Sequence, residues 1–307
     1  MRFGGSERCG TLSRVSFTPT AQSRRLAAEL RNLREAAGLT IEQAASQVET
    51  TLSRATLSRI ETSKTGVQPR TVAALLRIYE VGEAEAEALV ELARSARQHA
   101  WWYDYAGTMP KWFAGYVAFE NSATQLRVYD IQLVNGLLQT DRYARALIAA
   151  DHPEDPPGRI DERVELRMAR QQILHRDKAP RLWIVMDEAA LCRPIGGPAV
   201  MAAQLQHIAD LAQLPTVTVQ VLQFSQGAHM AMGASFTILD FDSDDPPVVY
   251  LENISGALFL DKAYHVQGHS LAFDHLRATA LSPADTVTLL RGKADAMKAQ
   301  AVREGAE

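Results

Sequence analysis

Apolar residues recur at spacings of four and three from Gln22 onward, at Leu26, Leu30 and Leu33. That spacing marks one face of a helix, and Ala36-Ala37-Gly38 closes it with glycine just past the end. Thr40-Ile41-Glu42-Gln43 has the T-x-x-Q form of a capping box, so a second helix starts at Thr40 and carries Ala44, Ala45 and Val48 inward. The polar, β-branched stretch Glu49–Leu52 reads as a turn. Ser53 then caps a third short helix, Arg54 to about Glu61, with Leu57 and Ile60 as its apolar positions. Pro69 sits where a helix begins, and Thr71–Tyr79 forms a fourth. Glu83–Gln98 forms a fifth, with an acidic start and a basic end that suit the helix dipole.

After His99 the pattern changes. Helices are predicted over Lys111–Asn121, Asp141–Ala150, Asp161–His175, Ala199–Gln213 and Asp261–Thr279, and from the Ser282 cap to about Met297. Short β-branched runs predict strands at Gln125–Leu133, Arg181–Met186, Val217–Phe224, Ser235–Phe241 and Val248–Leu251. His152–Gly158 (HPEDPPG) is a loop. The expected organisation is a flexible segment 1–20, an all-α five-helix unit 21–98, a mixed α+β unit 99–298 and a flexible tail 299–307.

The 307 residues fit about two domains. No run approaches the roughly eighteen apolar residues of a membrane span, and residues 1–20 hold no apolar core of a signal peptide. Cys9 and Cys192 are too few for a disulfide framework, and a reducing cytoplasm is the expected home. The net charge of -4 conceals an asymmetry. Residues 1–79 carry 12 Lys/Arg against 6 Asp/Glu, a formal +6, and the remainder carries 20 against 30, a formal −10. A basic module on an acidic body suggests nucleic-acid binding by the first.

Thr40–Glu61 has the logic of a helix-turn-helix, in which the second helix enters the major groove. Small Ala44 and Ala45 allow a close helix crossing, while Leu57 and Ile60 face the core. Arg54, Ala55, Ser58 and Arg59 then face outward. Arg54 lies in the first turn, where an arginine bonds guanine at two atoms for about 1–3 kcal/mol of discrimination. Ser53 and Thr56 flank it, Thr56 offering a hydroxyl or a methyl. Lys64 and the helix starts at Thr40, with Gln43, and at Arg70 suit phosphates.

The phrases Gly38-Leu39-Thr40, Gln43-Ala44-Ala45 and above all Thr56-Leu57-Ser58-Arg59-Ile60-Glu61 resemble the Xre (phage-repressor-like) helix-turn-helix family. The resemblance implies that this last phrase forms the recognition helix and that Glu61 is structural, paired with a basic side chain or a backbone amide. The chain departs from the family in having four residues, Glu49–Leu52, between the helices where two are usual, and Ser63 where a glycine usually follows the glutamate. Glu61–Lys64, Val72–Leu76, Tyr79, Gly136-Leu137-Leu138-Gln139-Thr140 and Arg163–Gln172 are similar to one actinobacterial branch of these regulators, over about residues 22–297. That branch joins the DNA-binding domain to a large C-terminal domain of unknown function, and its members are described as antitoxin-like and occur beside a small partner protein.

The second unit carries little catalytic signal. It has no G-x-S-x-G, Walker or G-x-G-x-x-G motif. His265 and His269 lack the H-E-x-x-H pattern; Asp242, Asp244 and Asp245 lack the glycine and glutamate of a calcium loop; Gly196-Gly197-Pro198 reads as a turn. Ser225 and His229 have no acid placed beside them. Trp101, Trp102, Tyr103, Tyr105, Trp112, Phe113 and Tyr116 crowd sixteen residues, either as packing between the units or as a ligand or partner surface, with Trp101, Trp102, Tyr105 and Trp112 the candidates. The expected protein is a non-enzymatic, sequence-specific transcriptional regulator without a cofactor or metal. It binds double-stranded DNA at a near-palindromic operator as a homodimer, and residues 99–298 sense a small-molecule effector or a partner protein. The alternative is an antitoxin-like protein that sequesters a small partner, with DNA binding secondary.

Overall fold

The computed structural model describes residues 21–48, 52–95, 105, 107–242 and 245–305. Five helices form the first unit: α1 (Ala21–Ala36), α2 (Ile41–Gln47), α3 (Arg54–Glu61), α4 (Pro69–Ile78) and α5 (Glu83–Ser95). Leu26 and Leu30 of α1 meet Ala44, Leu57, Leu75 and Leu89 in one buried cluster. The predicted punctuation holds. Gly38 takes φ +69, a conformation that only glycine adopts without strain, and so ends α1. The Thr40–Gln43 capping box has both of its bonds, and Ser53 caps α3. The fifth helix is described to Ser95; Gln98, its expected end, lies outside the described residues, as does most of the turn at Glu49–Leu52.

The second unit is a mixed α/β domain around one six-stranded sheet. In chain order its elements are α6 (Lys111–Ser122), β1 (Gln125–Asp130), α7 (Asp141–Asp151), α8 (Pro157–Gln171), β2 (Arg181–Asp187), α9 (Ala189–Cys192), α10 (Pro198–Leu211), β3 (Val217–Leu222), β4 (Phe236–Asp240), β5 (Val248–Asn253), β6 (Gly256–Leu260), α11 (Ala263–Thr279) and α12 (Pro283–Glu304). The strand order is β3-β2-β1-β4-β5-β6. β1, β2 and β3 are parallel, with Leu126 opposite Leu182 and Leu182 opposite Val217, while β4, β5 and β6 run as an antiparallel meander. Alternation sends Leu182, Ile184 and Met186 into one core, and Val185 with Phe236, Ile238 and Phe273 into the other. Helices thus cover both faces, which is why β2 and β3 read as nearly continuous apolar runs.

Several boundaries moved. β1 stops at Asp130 instead of reaching Leu133, because the next amide, Ile131 N–H, donates to Ser235 Oγ and the chain turns away. α8 starts earlier, at Pro157, whose missing N–H costs nothing in a first turn. β6 was not predicted: Gly-Ala-Leu-Phe-Leu lacks β-branched residues and forms because it pairs with β5 across the Asn253–Gly256 turn. The expected flexible tail 299–307 is also corrected. α12 continues to Glu304, held by good helix formers and the i,i+4 bond from Gln300 to Glu304. Segment 1–20 lies outside the described residues.

Candidate nucleic-acid interface

The site is built on α3. Leu57 and Ile60 are buried, which fixes the rotation of the helix and leaves Ser53, Arg54, Ala55, Thr56 and Arg59 exposed, with Ser58 half-buried. Lys64, just past α3, and Arg70, at the start of α4, are exposed as well. All ten residues singled out in the sequence therefore lie on or beside the surface, but their side chains are not equally available. Thr40 and Gln43 are engaged with each other: Gln43 N–H donates to Thr40 Oγ1 at 3.2 Å, and Thr40 N–H to Gln43 Oε1 at 2.9 Å. What remains there for a phosphate is the Gln43 side-chain amide and the Thr40 hydroxyl proton. Ser53 Oγ receives Thr56 N–H at 3.1 Å and lies 2.8 Å from Thr56 Oγ1. Gln68 caps α4 without a side-chain bond, Pro69 has no N–H, and the Thr71 and Val72 amides donate to the Gln68 carbonyl, so the Arg70 N–H is the amide left open to an anion.

Arg54 has a partner that the sequence did not suggest. Its Nε is 3.0 Å from Glu42 Oε1, and both side chains are largely exposed. Such a pair is worth about 0–1 kcal/mol. A two-point contact to guanine is worth about 1–3 kcal/mol, more than this pair, so Glu42 does not tie Arg54 down.

Behind this surface, Glu61 plays the structural part that the resemblance implies. Arg34 of α1 donates from Nε to Glu61 Oε1 at 2.7 Å and from Nη2 to Oε2 at 2.9 Å, and from Nη1 to the Leu39 carbonyl at 2.8 Å. The pair is buried. Bonding to Glu61 raises the pKa of Arg34 further, so the guanidinium stays charged. Ser63, in the place of the usual glycine, has φ +51. It is buried, and its Oγ lies 3.3 Å from that of Ser23 on α1. The end of α3 is therefore pinned to α1 at two points.

In the second unit a polar seam runs under Gly136–Thr140. Gln139 Nε2 donates to the Val134 carbonyl at 2.6 Å, and Gln204 of α10 bridges the Leu138 carbonyl and Thr140. Arg170 of α8 donates to Glu120 of α6 through Nε at 3.0 Å and Nη2 at 2.8 Å, fully buried. Residues 25–89 match the family model of a helix-turn-helix domain, and residues 113–292 match that of a domain of unknown function, DUF5753. The chain belongs to the DUF5753 family. Its first unit is a helix-turn-helix domain, the DNA-binding part of a regulator. No curated protein and no solved structure matches the chain.

Within the DUF5753 domain, the aromatic candidates divide. Trp101, Trp102 and Tyr103 lie outside the described residues. Tyr105 and Trp112 are half-buried and pack against the main core, and Phe113, Tyr116 and Tyr250 continue it as a chain of rings at 5.8 and 4.1 Å. Those described are packing residues. His269 Nδ1 lies 2.8 Å from the His265 carbonyl, as befits neighbouring turns of a helix, and no metal-binding cluster occurs among the described residues. Asp244 lies outside the described residues, while Asp242 and Asp245 share a backbone turn bond. Gly196 and Gly197, at φ +75 and +92, form a turn. His229 does acquire an acid, but not Ser225: its Nε2 lies 3.2 Å from Tyr129 Oη and 4.0 Å from Asp187 Oδ2. Ala231 N–H donates to His229 Nδ1, so Nε2 carries the proton of the neutral ring and donates to Tyr129, whose hydroxyl donates to Asp187.

Arg24, missed in the sequence, joins the two units. It leaves α1 and lies over Phe119 at 4.7 Å and Phe241 at 5.9 Å, with Asp261 at 3.9 Å. Burial lowers its pKa, which Asp261 and Asp245 partly offset. No signal within the local sequence marks this residue, because all of its partners are distant in the chain.

Proposed function

We propose that this protein is a sequence-specific transcriptional regulator of the Xre type, in which the helix-turn-helix domain reads an operator and the DUF5753 domain senses an effector. One observation carries the reading: α3 holds its apolar face in the core, braces its end through Glu61 and Arg34, and presents Arg54, Ala55, Thr56 and Arg59 together. Arg54 reads a base edge, with Lys64, Arg70 and Gln43 on phosphates. The protein acts as a homodimer on a near-palindromic operator in the cytoplasm, without enzymatic turnover. No described helix is long and apolar enough to cross a membrane.

The test is selection of genomic fragments by the purified protein at about 0.15 M salt, followed by sequencing. Enrichment of one near-palindromic sequence supports the reading and gives the half-site spacing. Binding that is uniform across fragments and vanishes as salt rises overturns sequence-specific reading. Co-purification of a stoichiometric small protein that abolishes DNA binding turns the reading toward an antitoxin-like role.

A further inference from the structure

Three arginines of this protein share one arrangement. Arg34, Arg127 and Arg170 are each largely withdrawn from solvent, and each turns its Nε–Nη2 edge to both oxygens of a carboxylate: Glu61, Asp240 and Glu120. That edge matches the planar carboxylate atom for atom. Arg167, one turn before Arg170 on α8, is surrounded by protein but has no ion pair. Its one hydrogen bond runs from Nη1 to the neutral Gln139 Oε1 at 2.7 Å. Its Nε–Nη2 edge has no hydrogen-bond partner, and the residue as a whole is half-buried. The neighbouring Arg170 repels it, while Glu252 and Asp151 act only at a distance, and burial brings its pKa down to about 10.

The surroundings fit an anion of single charge. Arg167 and Arg193 both act electrostatically on Tyr143. The Tyr143 oxygen accepts from Val134 N–H at 3.2 Å, and the residue is fully buried, so its hydroxyl is out of a ligand's reach. Arg193, on the β2–α10 connection, is exposed and has no ion pair. Asp130 ends β1 beside them, bonded by Asn135 Nδ2 at 3.1 Å, and Glu252 ends the neighbouring part of the sheet on β5. Asp130 and Glu252 stand at the carboxyl ends of β1 and β5, and Arg193 follows β2 in the chain; here β1 has a parallel neighbour on one side and an antiparallel one on the other. Open α/β sheets hold ligands at such a place. Glu252 and Asp151, the carboxylates that act on Arg167, disfavour a dianion such as phosphate.

We propose that the unpartnered Nε–Nη2 edge of Arg167 binds the carboxylate of a small-molecule effector, with the exposed Arg193 as a second cation. The consequence for DNA rests on the sensory reading of the DUF5753 domain; the binding itself does not.

The experiment titrates the full-length protein with acetate, benzoate, succinate, L-glutamine and inorganic phosphate. Thermal midpoints are recorded alongside the Nε–H resonance of Arg167 in ¹⁵N-labelled protein. The expected result is saturable stabilisation by at least one carboxylate at about millimolar concentration or below, with the Arg167 resonance moving in step. Arg167→Lys keeps the charge and loses the edge, and should weaken that binding about tenfold or more. Arg145→Gln, a surface control, should leave it unchanged. No response to any carboxylate overturns the proposal, as does a response that leaves the Arg167 resonance unmoved or survives in Arg167→Lys. Phosphate binding in place of carboxylate overturns the ligand class. A carboxylate that binds at Arg167 but leaves operator affinity unchanged supports the site and overturns the sensory reading.

Discussion

Named arginines do different work in the two halves of this protein. In the helix-turn-helix domain one arginine, Arg34, is buried to hold the recognition helix, and Arg54, Arg59 and Arg70 are turned outward. In the DUF5753 domain Arg127 and Arg170 are spent on internal carboxylates, and Arg167 lies inward without one. Exposed cations suit a polyanion that brings its own charge to the surface. An inward, unpaired cation suits a small ligand that is enclosed. The same side chain serves recognition of different sizes according to how much water remains around it.

The largest test of this contrast is on the brace. Glu61→Ala leaves the buried Arg34 with only the exposed Glu35 as counter-charge, and a loss of about 3–5 kcal/mol is expected in urea unfolding of the first unit. A loss below about 1 kcal/mol would place Glu61 outside the framework. Asp130 comes next. Burial pushes its pKa up from 3.8 to about 7. A folded carboxyl that holds its proton longer than the unfolded one loses stability as pH rises between those two values. Asp130→Asn should remove that slope between about pH 4 and pH 7, be stabilising above pH 7, and have little effect below pH 4; a variant with the parent slope in denaturation curves would refute the assignment. At the DNA surface, Arg54→Ala should cost about 1–3 kcal/mol on the selected operator and relax preference at one base position. Lys64→Ala should weaken all sequences alike and lower the slope of log affinity against log salt by about one. The smallest effect is at Ser63. Its positive φ favours glycine by about 1 kcal/mol, less the value of the bond to Ser23, so Ser63→Gly should change the melting midpoint slightly and upward.

The first unit was legible in the sequence because its signals are local. The Thr40–Gln43 box, the Ser53 cap, Gly38 and the Leu57–Ile60 spacing all act within four residues, and each is found where the pattern placed it. The partner of Glu61 was not legible, since Arg34 lies 27 positions away. The DUF5753 domain depends on such distances throughout: Arg170 reaches back 50 positions to Glu120, and Tyr129 and His229 are 100 apart. β6 exists by pairing and not by propensity. The candidates sought there as motifs, His265 with His269 and Ser225 with His229, failed as pairs, while the edge of Arg167 has no motif at all.

Ser23 and Arg24 are consecutive residues that face different bodies. One touches the end of the recognition helix, and the other lies across the rings of Phe119 and Phe241. A cation over aromatic rings is worth about 1–2 kcal/mol when partly desolvated. That outweighs thermal energy, and about 1.4 kcal/mol is a tenfold preference for the docked orientation over the released one. With Asp261 beside the same guanidinium, this one side chain biases the angle between the two units.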